Sequence, residues 1–446
     1  MREATSKLIN KQGIDKTFWV LFAMLIVVSA IALFSASSTL VYKNGSALSG
    51  VGKQLEYIAL GVLLAFALQY IPSKIVRFCA YPALLVGVLL CASTLKPSLP
   101  WVVTHNEASR WVSLFGVEFQ PSEISKLALV IVVADLLSKV DRNDEDSFKR
   151  IYWWVAGISV VTILPIMLGN LSTAILMFGV VILMLFLARF PWKYILLSII
   201  VPMSGLILLL LVAKFLYIDQ GRKLPSPIAR TRTWVSRVDA FLNRNSEMSE
   251  EEQLLWEQMS EEERHAKLKT VMREKMISKD DMQRTYAQLA VNRGGKSPIG
   301  VGPGHSKERD YLPYAYADYI FAIIVEEWGV IGAFLLGFIY LAVLFRACYV
   351  SSRYDDYAAM LMVMGVALML TCQAMISMMV SVGLGPVTGQ PLPLISRGGT
   401  SAVFTSLYFG ILMCVSREQL NRRKRVDMTA RDSAAEVPDV IILDDK

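Results

Sequence analysis

Apolar residues in this chain come in runs of roughly 17–25, the length of helix that crosses a bilayer core of about 30 Å. A soluble protein scatters its apolar residues at helix or strand period instead. Composition points the same way, with 54% hydrophobic and 19% charged residues in 446. Size alone leaves room for two or three soluble domains, and the runs redirect that reading. They lie at about Phe18–Ser35, Leu55–Ile71, Val76–Thr94, Pro121–Leu137, Ile151–Leu168, Ala174–Ala188, Tyr194–Tyr217, Tyr319–Phe345, Ala358–Val380 and Ala402–Val415.

Charge orients these runs. The net charge of +7 does not suggest nucleic acid, because the excess sits in short loops on one side. The N-terminal tail, Lys74 with Arg77, Lys139–Arg150, Arg189 with Lys193, Arg346 with Arg353, and Arg417–Arg425 all fall on that side when loops alternate. Lys- and Arg-rich short loops are cytoplasmic. The first run is too long for a signal-peptide core, and removing it breaks the alternation, so it is expected to be retained. The expected fold is therefore an all-α polytopic membrane protein with about ten transmembrane helices, both termini cytoplasmic, and one large extracytoplasmic loop between helices 7 and 8. The expected divisions are a tail at 1–16, helices 1–7 over 17–217, the loop over 218–317, helices 8–10 over 318–416, and a tail at 417–446. Within the loop, apolar residues of Ser246–Lys279 recur at helix-like spacing, and Ser249 with Glu252 and Ser260 with Glu263 read as capping boxes. Two amphipathic helices are expected there, either a solvated hairpin or a cover for a cleft. Cys79, Cys91, Cys348, Cys372 and Cys414 form no CxxC pair and the three histidines lie far apart, so neither a disulfide framework nor a zinc site is expected.

Ionisable groups at membrane depth are costly, which makes them candidates for function. Gln120-Pro121-Ser122-Glu123 opens the fourth run with Pro at a favoured first-turn position. Glu123 and Lys126 are three apart and share a face, so they can pair. Macrodipole complementarity alone would explain Glu123, but it does not explain Lys126. Asp318 stands where the large loop meets the eighth run, either as a helix cap or as a base at the lip of the bilayer. Glu326 and Glu327 follow it, placed to hold its geometry or to pair with Lys126. The stretch Gly389–Ser401 is dense in Gly and Pro, and irregular backbone at membrane depth must be covered by protein or line a cavity. It is expected to fold inward. Arg110 and Arg397 are then candidates for a pyrophosphate, with a lipid-phosphate anchor as the alternative for each.

Three segments together resemble one family. They are Ser109-Arg110-Trp111 through Glu123 with Lys126; Tyr311-Leu312-Pro313 through Asp318 to Glu326, Glu327 and Gly329; and Pro391-Leu392-Pro393-Leu394-Ile395-Ser396-Arg397-Gly398-Gly399-Thr400-Ser401. In this order, over roughly residues 17–425, they resemble the SEDS family of FtsW, RodA and SpoVE proteins, with the last segment most like FtsW. The resemblance implies a ten-helix peptidoglycan glycosyltransferase of the bacterial inner membrane, at the septum during division. Its substrate would be lipid II, and its partners a class B penicillin-binding protein and other divisome membrane proteins. By the same resemblance Asp318 is catalytic and Glu123 and Lys126 support it. Arg110, Arg397, Lys307 and Glu326 are expected to bind substrate or support the site, and a divalent cation (Mg or Mn) is a candidate cofactor with no assigned ligands. The elongation-type RodA paralogue shares this chemistry. Lipid II transport and a non-catalytic scaffold are the alternatives from other classes. The chain departs from the family at Tyr314-Ala315-Tyr316-Ala317, at Lys307, which is one place off, and at Gly169–Thr173, where Asn170 stands for an aspartate.

Overall fold

The protein is described from a computed structural model covering residues 14–36, 47–105, 108–114, 116–218, 231–232, 234–235, 279–310, 317–353, 356–386 and 388–435. Within these the chain is mostly helical. The first three helices are α1 (Lys16–Ala36), α2 (Ala47–Leu68) and α3 (Ser73–Ser93). After a small sheet come α4 (Pro121–Leu137), α5 (Glu145–Gly169), α6 (Leu171–Leu187) and α7 (Trp192–Val212), the last continued by a π-helical turn to Ile218. A polar helix α8 (Lys279–Gly295) precedes α9 (Ile320–Ser351), α10 (Tyr357–Ser381) and α11 (Thr400–Ala435). Seven of these (α1, α3, α5, α7, α9, α10 and α11) are long and apolar enough to cross a membrane. Apolar helices suit hydrocarbon because each satisfies its own backbone groups.

Burial orders the bundle. In the apolar stretch of α10, 72% is buried, and Leu129, Val132 and Val133 of α4 have no exposed surface, so these two helices form the centre. Only 6% of the corresponding stretch of α7 is buried, which leaves α7 at the periphery beside α6. Helix α2 packs along α11, α1 along α9, and α3 along α4.

Three features depart from the expected helical bundle. The first is an antiparallel sheet between α3 and α4, made of β1 (Val102–His105), β2 (Ala108–Leu114) and β3 (Val117–Phe119) in that order. Val103 opposes Trp111 and Val112 opposes Phe119, so an all-α description is corrected by this sheet. The second is the length of α11, which continues well past Val415 to Ala435. The third is a break in α9 at Gly329, whose backbone (φ 65°, ψ −161°) is open to glycine and strained for other residues. The loop before α9 fills the gap. Val301 and Gly302 donate to the carbonyls of Glu326 and Glu327 (2.9 Å each), and Ile331 donates to the carbonyl of Pro298 (3.0 Å). Broken helices survive at membrane depth when neighbours take up the freed groups in this way. Helix α8 packs on the same half of α9, with Tyr286, Ala287 and Ala290 against Tyr319, Ala322 and Ile323. The two amphipathic helices expected over Ser246–Lys279 lie outside the described residues, apart from Lys279, which opens α8.

The far end of the bundle from Asp318 is tied by ion pairs. Arg77 of α3 meets Asp356, which caps α10 through the amides of Ala358 and Ala359, at 2.9 Å. Asp135 at the end of α4 meets Lys139 at 2.7 Å and accepts from Tyr81 at 2.7 Å. Asp15 meets Arg346 at 2.8 Å and accepts from Ser416. The hydrogen bond that the Lys139 ammonium donates to Asp135 raises its pKa above the ordinary lysine value.

Candidate functional site

The site lies where α4, α6, α9 and α11 begin and α5 and α10 end. Pro121 starts α4 and Glu123 falls in its first turn, where a carboxylate is favoured by the helix dipole. One turn on, Lys126 pairs with Glu123 at 2.8 Å. Both are buried, Lys126 to 1% exposure, so neither charge can be carried there alone. Lys126 also donates to Oε1 of Gln373 on α10 at 3.0 Å, and Nε2 of Gln373 donates to the carbonyl of Pro391 at 3.1 Å. The pair is thus wired to the loop between α10 and α11.

That loop folds into the bundle, with Leu392–Ser396 buried. Its backbone and side chains are fastened on several sides. The carbonyl of Pro393 accepts from Tyr340 (2.6 Å) and that of Leu394 from Ser29 (2.8 Å), while Gln390 donates to Thr173 (2.5 Å). Leu394 is held at φ 68°, unusual for a residue with a side chain, so the surroundings over-determine this segment.

Asp318 is half-buried, two residues before α9. The cap position of α9 is Tyr319, and no side chain caps it, so the reading of Asp318 as a plain helix cap is not supported. The inward loop reaches its segment directly. Ser396 donates to the carbonyl of Ala317 at 2.6 Å and accepts from the amide of Leu392 at 2.8 Å. Gly389 (φ 61°) passes beside the Asp318 carboxylate, and a Cβ there would lie at ordinary contact distance, 3.7 Å, from its Oδ2.

The sheet positions Arg110 on β2. Its Nε donates to the carbonyl of Gly169 at 2.9 Å, where α5 ends. Arg110, Gln120 and Ser122 line a small cavity with Asn170, whose side chain caps α6 by accepting from the amide of Thr173. Arg397 is half-buried in the inward loop, while the side chain of Lys307 is exposed and its amide donates to Oε1 of Glu326 at 3.1 Å.

Of the two roles open to Glu326 and Glu327, pairing with Lys126 is not the one seen, since Lys126 meets Glu123. Glu326 accepts from Ser306 at 2.5 Å and lies 3.7 Å from Arg293 of α8. Glu327 accepts from Ser35 and lies 3.8 Å from Arg309. Both carboxylates are buried and face the loop that docks at the Gly329 break, so they fasten the start of α9 to that loop. Among the described residues no three His, Cys, Asp or Glu side chains gather into a cation site.

Sequence reasoning passed over Gln373, Gln390, Ser396 and Arg309. Gln373 carried a signal, since it is an amide inside the apolar run of α10. Arg309 is an ordinary loop residue in sequence, and Gln390 and Ser396 lie in the stretch expected to fold inward, where nothing in the sequence singles out their contacts.

The comparisons with known proteins agree with this architecture. The sequence profile of the FtsW/RodA/SpoVE cell cycle proteins matches residues 15–254 and 256–421. The chain is 28% identical to the probable peptidoglycan glycosyltransferase FtsW of Hahella chejuensis, over 86% of this chain and 85% of that one. It is 26% identical to the stage V sporulation protein E of Bacillus subtilis, over 92% and 98%. Its fold matches a chain of a peptidoglycan synthase complex that coordinates polymerization and crosslinking, with a TM-score of 0.65 at 22% identity over 91% of this chain and 98% of that one. It also matches the Thermus thermophilus rod shape determining protein RodA, with a TM-score of 0.56 at 20% identity over the same shares. The chain belongs to the FtsW/RodA/SpoVE family of cell cycle proteins.

Proposed function

We propose that this protein is a peptidoglycan glycosyltransferase that polymerises lipid II into glycan strands during cell division. Relatives named as probable peptidoglycan glycosyltransferases support the activity. In this reading ten helices (α1–α7 and α9–α11) span the inner membrane, and the Asp318 end faces outward. Basic residues at the opposite end (Arg77, Lys139, Arg346, Arg353 and Arg417) support that orientation. The observation that carries the site is the clasp around Asp318: Ser396 holds Ala317, Gly389 passes beside the carboxylate, and Lys126 reaches the same loop through Gln373.

A sugar hydroxyl is a poor nucleophile, so a positioned base must take its proton as the bond to the anomeric carbon forms, a contribution of about 10²–10⁴-fold. Asp318 is that base. The bond that breaks leaves an undecaprenyl pyrophosphate, whose growing negative charge needs fixed cations. Arg397 in the inward loop and Arg110 beside the Asn170 cavity are the candidates, and exposed Lys307 stands on the loop before α9. Glu123 and Lys126 act as positioning residues through Gln373. A magnesium or manganese ion travelling with the pyrophosphate is part of this proposal; no step above depends on one. A crosslinking partner, a class B penicillin-binding protein of the divisome, fits the synthase complex whose chain shares this fold.

The test is a gel assay for glycan strands made from purified lipid II, with and without the crosslinking partner. Parallel vesicles carry headgroup-labelled lipid II. Strands are the expected result. Movement of the label across the bilayer without strands under either condition would replace this reading with transport.

A further inference from the structure

The end of the bundle opposite Asp318 carries a cleft of about 520 Å³ between α2, α3 and α11 that plays no part in the chemistry above. Lys74, Arg417 and Arg422 line it, together with Tyr70, Asp356 and Glu418. The two acids are already engaged. Asp356 is held by Arg77 at 2.9 Å and caps α10, and Glu418 accepts from the amide of Ser73 at the start of α3 at 3.4 Å. The cations differ: Lys74 and Arg417 have no carboxylate within ion-pair distance among the described residues. Arg417 stacks over the Tyr70 ring at 4.3 Å and donates to the carbonyl of Gln69 at 3.4 Å, while its Nε is buried with no hydrogen-bond partner. A guanidinium stacked on an aromatic face and a neighbouring unpaired ammonium, both lining the cleft, together offer cationic donors to an oxyanion.

We infer that this cleft binds the phosphate of an anionic phospholipid from the leaflet on the side away from Asp318. Basic pockets between helices on the cytoplasmic side suit such headgroups, and each Lys or Arg near the surface contributes about 1 kcal/mol to holding one. A lipid is favoured over free phosphate because the cleft opens onto an apolar stripe. Leu60, Leu63 and Phe66 of α2 are exposed and lead to Tyr70 and the cleft, a track for acyl chains. Tyr70, itself 41% exposed, sits where an aromatic ring marks the headgroup level. The inference rests on the membrane orientation proposed above and not on glycosyl transfer, so lipid II assays and this site fail independently.

The experiment uses the full chain in bilayer discs of phosphatidylcholine with a minority of phosphatidylglycerol, followed by extraction and native mass spectrometry of retained lipid. Wild type should retain phosphatidylglycerol preferentially. Arg417→Gln should lower that preference about fivefold, and Lys74→Gln with Arg417→Gln by about fivefold more. Lys193→Gln is the control; Lys193 is a cation at the same end, paired with Glu145 at 2.6 Å and outside the cleft. It should change nothing. If Arg417→Gln does not give a monodisperse protein, Lys74→Gln alone carries the test, since that side chain is exposed. No preference in wild type, or an equal loss in the Lys193 control, would overturn the site. Release of the retained lipid by excess inorganic phosphate would overturn its assignment to a lipid.

Discussion

At the scale of single residues, the Glu123–Lys126–Gln373 chain decides how charge is tolerated inside the bundle. Lys126 is nearly inaccessible, and its two partners are an acid one turn back and an amide from the neighbouring helix. Removing one member of a buried ion pair typically costs about 3–5 kcal/mol because it leaves the other charge uncompensated. Lys126→Met should therefore lower the melting temperature in detergent strongly, and Glu123→Gln with Lys126→Met should recover part of the loss. A double mutant no more stable than Lys126→Met would show that the pair is not coupled. Gln373→Leu deprives Lys126 of an acceptor and the carbonyl of Pro391 of its donor, a loss of about 1–3 kcal/mol. If Gln373 only packs, the variant will be as stable and as active as wild type. If it also positions the inward loop, strand synthesis will fall further than stability accounts for.

At the scale of elements, α9 is broken at Gly329 and tied there to the loop that precedes it. A Cβ on Gly329 would lie 2.3 Å from the amide nitrogen of Gly300 and 2.5 Å from the carbonyl oxygen of Pro298. Gly329→Ala must therefore push the docked loop off the break while also straining a positive φ. Limited proteolysis should then cut within residues 296–310, where wild type resists. Equal resistance would mean that the loop is held elsewhere, for instance by Ser306 and the amide of Lys307 on Glu326. Glu326→Gln tests that second attachment. The amide keeps an acceptor for Ser306 but loses its charge opposite Arg293, so the loop should loosen less than in Gly329→Ala.

At the scale of the whole molecule, the ten apolar runs already marked α1–α7 and α9–α11, because long unbroken apolar stretches leave no alternation to misread, whereas polar α8 carried no such run. Pro121–Leu137 was readable to the residue, since proline marks its start. The sheet was not, because Val102–His105 and Val117–Phe119 are strands too short for their period to differ from that of a loop. The break at Gly329 was hidden because apolar residues continue on both sides of it and only the approach of Pro298–Gly302 creates it. The Glu123–Lys126 pair could be read from spacing on one helix. Its third member could not, because the nearness of Gln373 depends on how α10 crosses α4. The same limit applies to the clasp at Asp318, whose parts are Ala317, Gly389 and Ser396, residues separated in the chain by up to 79 positions. The central claim is that this half-buried carboxylate takes the proton from the attacking sugar. Its most direct test is the initial rate of strand formation from purified lipid II by wild type and by Asp318→Asn, with melting temperature and lipid II binding measured on the same preparations. A fall of about 10²-fold or more with folding and binding retained is the predicted result; strand formation at the wild-type rate would contradict it.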